Sequence, residues 1–335
     1  MITEVSAKIK QQLNARVLNQ EELTDLALAA LFAGGHVLIE GVPGLAKTLW
    51  AKSLAQLINV QYKRMQFTSD IMPSDILGTK VFNQRTSEFE LRKGPLFTQL
   101  FLADEINRTP PKTQSALLEV MEERAITIDG ETYSQPEPFF VMATQNPLEY
   151  EGTYPLPEAL TDRFMMKIIL TYPGVAAEKQ MLNMYHSGIL QQSWRGTAEG
   201  RPASEQSERE GFNSGKLSDL APVCTAEDIA AARAQIQGVV VEDGVFNYIV
   251  SIVETTRRVS AIQYGASPRG SVALLLASKA YAALQGRDFV IPDDVHYLAK
   301  PILRHRILLK PEAEIEGVTT DNVIDNILTQ VKAPR

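Results

Sequence analysis

The sequence is short of the features that mark several common protein classes. Cys224 is the only cysteine in 335 residues, which excludes a disulfide within the chain and a zinc site built on cysteines. The four histidines, His36, His186, His296 and His305, lack the His-Glu-x-x-His spacing of zinc hydrolases. Each reads as a packing or surface residue. Positive charge is in deficit: 33 Lys and Arg stand against 40 Asp and Glu, for a net charge of −7. A general nucleic-acid binder carries a basic balance, so DNA and RNA are not expected partners. No apolar run approaches the roughly 18 residues of a membrane span. The N-terminus is amphipathic and polar, unlike a signal peptide. A cytoplasmic protein with no membrane span is the expectation.

What is present is ordinary for a globular chain: 44% hydrophobic and 22% charged residues, with length for about two domains. The organising stretch runs from His36 to Thr48. Val37 to Ile39 form a short apolar run, as a buried strand does. Gly41, Val42, Pro43, Gly44, Leu45 and Ala46 make a Gly/Pro-punctuated turn, and a helical pattern begins at Lys47. Strand, loop, Lys-Thr and helix are the context of a phosphate-binding loop. Such a loop turns backbone N–H groups toward an anion, and the following helix adds its positive end. Lys47 would reach the terminal phosphates and the Thr48 hydroxyl would hold Mg²⁺. Ala46 departs from the strict pattern, which has glycine before the lysine.

A second landmark is Gln99-Leu100-Phe101-Leu102-Ala103-Asp104-Glu105. Its apolar run suits a parallel strand buried on both faces, which puts Asp104 and Glu105 at the carboxyl end, where open α/β sheets bind ligands. Asp104 would support Mg²⁺ and Glu105 would polarise an attacking water. The alternative is a pair of solvated acids. Residues 139–144 read as another buried strand, ended by Gln145-Asn146-Pro147. Asn146 either contacts a γ-phosphate and its water or caps a turn.

The remaining chain reads as helices over 3–15 and 21–33 with a break at Val17-Leu18-Asn19-Gln20, where Asn19 suits a left-handed turn. Gly34-Gly35 end the second helix. A strand follows over 60–67, then a helical turn over 69–78 with Ser74 as its cap. Hairpins span 80–92 and 125–133, the second with Asp-Gly at its turn. A helix covers 111–123, a short one 157–163, a strand 165–170 and a helix 174–190. Strands alternating with helices predict a doubly wound parallel α/β sheet. Residues 195–216 are rich in Gly, Ser, Glu, Arg and Gln and read as a flexible linker. Beyond Leu217 the pattern is helical, over 225–237, 242–258, 269–285, 292–309 and 320–332, with Arg306 on the apolar spacing of the fourth. The expected division is 1–192, an α/β domain; 193–216, a linker; and 217–335, a helical domain.

Six collinear motifs together resemble the MoxR family of AAA+ ATPases, in the clade with an insert in helix 2. They are 41–48, Leu102-Ala103-Asp104-Glu105-Ile106-Asn107-Arg108, 143–147, 151–159, Asp162-Arg163-Phe164 and Gly265-Ala266-Ser267-Pro268-Arg269. The resemblance implies a P-loop AAA+ core with a helical lid. Lys47 and Thr48 match the Walker A pair, and Asp104 and Glu105 the Walker B pair. Asn146 matches sensor 1. Arg163 matches the arginine finger that enters a neighbour's site, the alternative being a salt bridge with Asp162 or another acid. Arg269 matches sensor 2 on the lid, acting on its own nucleotide or a neighbour's. Val17 and Leu18 match the segment beside the adenine. The implied cofactors are ATP and Mg²⁺, and the implied assembly is a homo-oligomeric ring, a hexamer. The implied work is chaperone-like maturation or activation of a separate client, often one with a von Willebrand factor A domain or a metal-dependent enzyme. The alternatives are a magnesium-chelatase-like or helicase-like motor subunit, or a nucleotide-dependent binding switch.

Overall fold

The computed structural model describes residues 2–18, 20–147, 152–186 and 220–334. Asn19 and the polar span 193–216, with the expected domain boundaries around it, lie outside them.

The chain opens with α1 (Ile2–Asn14) and α2 (Glu21–Ala33), and α2 ends where Gly34 takes φ 77. Then come β1 (Val37–Gly41), α3 (Lys47–Leu57), β2 (Tyr62–Gln66) and α4 (Pro73–Leu77). A hairpin of β3 (Gly78–Asn83) and β4 (Glu88–Lys93) precedes β5 (Leu100–Asp104). A 3₁₀ turn, Ile106–Arg108, leads to α5 (Pro111–Glu123). The second hairpin is β6 (Ala125–Ile128) and β7 (Glu131–Ser134), followed by β8 (Phe140–Gln145), α6 (Glu158–Thr161), β9 (Met166–Leu170) and α7 (Val175–His186). The C-terminal region holds α8 (Ala226–Gln237), α9 (Asp243–Thr256), β10 (Ile262–Tyr264) and α10 (Pro268–Leu284). It closes with α11 (Pro292–Leu303), β11 (Leu308–Leu309), α12 (Pro311–Ile315) and α13 (Thr320–Gln330).

The central sheet has the order β2-β5-β8-β1-β9, and every pairing in it is parallel. All the phosphate-site candidates therefore leave their strands at one edge. Side chains alternate between faces along each strand, and the core divides accordingly. Val37, Ile39, Leu100, Leu102, Phe140, Met142 and Ile168 join a core with α1, α2, α3 and the C-terminal helices. Leu38, Phe101, Ala103, Val141 and Ala143 join a second core with α4, α5 and α6. Trp50 of α3 is fully buried, and its indole N–H donates to Thr24 Oγ1 of α2 at 3.0 Å. The C-terminal helices are seated through α10, which packs on α2, α9 and α11. No helix among the described residues is long and apolar enough to cross a membrane.

Three local expectations are corrected. The cap of α4 is not Ser74. Pro73 takes the first helical position, so Met72 is the N-cap, and Asp75 accepts from the Met72 N–H at 2.9 Å. The helix expected over 292–309 ends at Leu303. Past it, Arg304 donates to the Lys167 carbonyl and His305 Nε2 meets the Phe164 carbonyl at 2.9 Å. Those contacts with the β9 segment replace another helical turn. Leu308–Leu309 then pair antiparallel with Ile262–Tyr264, a ribbon absent from the all-helical expectation. The Asp129-Gly130 turn is as expected, with both residues at positive φ (50 and 82), as a type I′ hairpin requires.

Candidate active site

The loop between β1 and α3 is shaped by two residues in the left-handed region. Gly44 takes φ 87, and Ala46, the N-cap of α3, takes φ 56 and ψ 24. Successive N–H groups in alternating right- and left-handed conformations form a concave anion site, and α3 points its N-terminus into it. Ala46 keeps the left-handed geometry that a glycine would adopt more freely. Lys47 Nζ donates to the Gly41 carbonyl at 2.6 Å, folding the ammonium back across the loop. Burial lowers the Lys47 pKa, and the charges of Asp104 and Glu105 oppose that shift.

The end of β5 lies across from this loop. Thr48 Oγ1 is 3.5 Å from Asp104 Oδ2. Thr144 of β8 donates to Asp104 Oδ1 at 2.5 Å, and its hydroxyl accepts from the Glu105 N–H at 2.8 Å. Glu105 sits at φ 57 and ψ 49, an uncommon backbone for a side chain of that size. Its carboxylate accepts from Gln66 Nε2 at 2.7 Å and pairs with Arg108 at 2.9 Å. Arg64 places Nε and a terminal nitrogen on Asp104 Oδ2 at 3.0 and 2.8 Å. Asn146 is buried at the end of β8, and its carbonyl accepts from Asn107 at 3.5 Å. One hydroxyl and one carboxylate meeting beside a phosphate-shaped loop is a donor set that suits Mg²⁺. That ion typically takes one or two protein oxygens and fills its shell with phosphate and water.

Arg64 and Gln66 are not among the residues the sequence marks, and Thr144 lies within the 143–147 motif without a role of its own. Register brings them here: Gln66 stands opposite Asp104 and Arg64 opposite Leu102. For Arg64 and Gln66 the only sequence signal is polarity at alternating positions on one strand. Val17 is 4% exposed, with little surface to offer a base, and Leu18 is half-buried. Both follow α1, which packs on α3.

Arg163 and Arg269 do not join this group. Arg163 precedes β9 by way of Met165, whose N–H donates to the His36 carbonyl at 2.8 Å. His36 precedes β1, so this is the amino edge of the sheet, opposite the phosphate loop. Arg163 pairs with Glu122 in the last turn of α5, and its Nε is buried without a hydrogen-bond partner. Arg269, at the start of α10, lies 3.4 Å from Asp162 and 3.9 Å from the same Glu122. The β strands here are five or six residues long, and at about 3.3 Å per residue they hold the two edges roughly 15 Å apart. Beneath the two arginines lies Arg306, its side chain 2% exposed, with Nε 2.9 Å from Asp162 Oδ1. Burial lowers its pKa to about 10 against the pull of Asp162, so it remains charged at neutral pH.

Comparison with known proteins agrees with this architecture. Residues 36–166 match the family model described as ATPase family associated with various cellular activities (AAA), and 254–327 match the AAA lid domain. The chain is 44% identical to the Bacillus subtilis protein YeaC over 98% of its own length and 94% of that protein. It is 38% identical to Chaperone MoxR1 of Mycobacterium tuberculosis, covering 95% of this chain and 80% of the relative. A crystal structure from Cytophaga hutchinsonii, assigned as an ATPase, superposes with a TM-score of 0.85 at 38% identity, covering 100% of this chain and 96% of that one. With a five-stranded parallel core, a phosphate loop at its carboxyl edge and a lid packed behind it, the chain belongs to the MoxR family of AAA+ ATPases.

Proposed function

We propose that the chain hydrolyses ATP with Mg²⁺ at a site shared between subunits of a ring, a hexamer, and uses the cycle to remodel a separate client protein. The observation that carries this reading is the separation of the site into two halves. Lys47, Thr48, Asp104, Glu105 and Asn146 gather at the carboxyl edge of the sheet. Arg163 and Arg269 gather at the amino edge and share Glu122. Neither arginine reaches the phosphate loop of its own chain, so both are read as acting on a neighbour's nucleotide. A head-to-tail interface that closes gives every site such a donor.

In this reading the N–H groups of 41–46 and the Lys47 ammonium hold the β- and γ-phosphates. Thr48 and Asp104 would hold Mg²⁺, which neutralises phosphate charge when bound. Glu105 takes a proton from the attacking water, and Asn146 orients that water. Charge on the departing γ-oxygens is stabilised by Lys47 and by the neighbour's Arg163 and Arg269, because phosphoryl transfer is mostly positioning and electrostatics. Lys47 must leave the Gly41 carbonyl and Arg64 must leave Asp104 for this arrangement to form.

The hairpins are read as the client-facing elements. Phe82 and Phe89 are opposed across β3 and β4, pack edge to face at 5.3 Å and are exposed. Lys80 bonds Glu131 at 2.5 Å and links the two hairpins. The relative named a chaperone supports client work; a von Willebrand factor A domain client is carried over from the family resemblance. The test is Glu105→Gln. ATP binding is expected to persist while turnover falls by roughly 10²–10⁴-fold, the usual contribution of a general base. Turnover unchanged in that variant would reject the mechanism.

A further inference from the structure

We infer that Arg306 is a positioning residue for the arginines that complete a neighbour's site. The inference rests on the shared-site reading above. Arg306 follows α11 in the lid, yet its guanidinium is spent on the segment that precedes β9. Nε bonds Asp162 Oδ1 at 2.9 Å, and the terminal nitrogens reach the carbonyls of Asp162 at 3.1 Å, Phe164 at 2.8 Å and Met165 at 3.1 Å. A further bond goes to the Ile302 carbonyl of the preceding helix α11. The carbonyls of Asp162, Phe164 and Met165 bracket Arg163, so its backbone has little freedom to shift. The other Asp162 oxygen faces Arg269 at 3.4 Å. One buried cation therefore fixes Arg163 through the main chain and Arg269 through a shared carboxylate.

The chemistry suits the task. A guanidinium presents donors in a rigid planar fork, and here the fork is satisfied on both sides by groups of one short segment. Neighbouring lid residues reinforce the joint: Arg304 pairs with Asp321 at 2.9 Å and donates to the Lys167 carbonyl, and His305 Nε2 meets the Phe164 carbonyl. A lid that moves with nucleotide would carry the Asp162–Met165 segment with it. The state of one subunit's lid would then set the reach of its arginines into the next site. Arg306 touches no phosphate in this scheme.

Mixing subunits tests it. Arg306→Lys keeps the charge and an ion pair with Asp162 but loses the fork. Its own phosphate loop is intact, so it is expected to bind a fluorescent ATP analogue within about threefold of wild type. Its turnover alone should fall by about 10²-fold, the loss that a 1 Å misplacement produces. Glu105→Gln subunits are inactive but carry intact Arg163 and Arg269. Mixed with Arg306→Lys subunits, they should supply those arginines and restore turnover at least tenfold above either variant alone. A purely structural defect would not be cured by a dead neighbour.

The control pair is Arg163→Ala with Glu105→Gln. Restoration in the control but not with Arg306→Lys overturns this proposal and leaves the shared site standing. Failure of the control overturns the shared site, and the proposal with it. Arg306→Gln, which keeps donors for the carbonyls, serves if the Lys variant does not fold. If neither variant binds nucleotide, Arg306 serves the fold alone and the proposal is overturned.

Discussion

Glu105 combines a strained backbone with a carboxylate tethered to Gln66 and Arg108. Strain of that kind gathers at functional positions when the surroundings over-determine it. Here the Glu105 N–H bond to Thr144 holds it. At this scale the buried histidines give a separate prediction. Burial pushes His36 down to about 3 and His305 well below its ordinary value, so both are neutral in the folded chain. In the unfolded chain each takes up a proton below about pH 6.5, so the unfolded state binds more protons there. Stability should therefore fall as pH drops from 6.5 to 5, with a slope approaching about 1.4 kcal/mol per pH unit for each histidine. It should be level in this respect above pH 7. Urea melts across that range would check it, and a flat profile from pH 7 to 5 would contradict the burial of these rings. Lys47, Thr48, Asp104 and Glu105 were legible in the sequence because each belongs to a short local pattern whose spacing is itself the chemistry. Arg64 and Gln66 were not, and the contacts of Thr144 within its motif were not, because these come from strand neighbours distant in the chain.

Among the elements, the long periodic segments were the readable ones. The helices at 21–33 and 111–123 match their expected spans, since apolar spacing and flanking glycine or proline agree. The apolar spacing after Pro292 continues to Arg306, past the end of the helix at Leu303. Tertiary bonds to the β9 segment decide otherwise, and no local pattern encodes them. Small residues are buried on both helices where the lid is seated: Ala273, Ala277 and Ala280 of α10, and Ala27 and Ala30 of α2. Close packing of that kind leaves no room for added methylenes. Ala277→Leu is expected to lower stability by about 1–3 kcal/mol, read as a shift in denaturant midpoint. An unchanged midpoint would mean that α10 is packed more loosely than the structure has it.

For the whole molecule, the organising feature is a sheet with Lys47, Thr48, Asp104 and Glu105 gathered at one edge and Arg163 and Arg269 at the other, which the proposed function reads as two halves of one shared site. The fold class was legible from the alternation of buried strands and helices. The opposition of the edges was not, because it depends on β9 running parallel beside β1 and on the lid bringing Arg269 and Arg306 to its amino end. The measurement that tests the central claim most directly is ATP hydrolysis per subunit as a function of protein concentration, for the native chain and for Arg163→Ala. In the native chain the rate is expected to climb with concentration. In the variant a flat rate is expected, lower by roughly 10³–10⁵-fold at saturation, as for arginine fingers in GTPases. A rate independent of concentration and indifferent to Arg163 would mean that each subunit completes its own site, and would contradict the account.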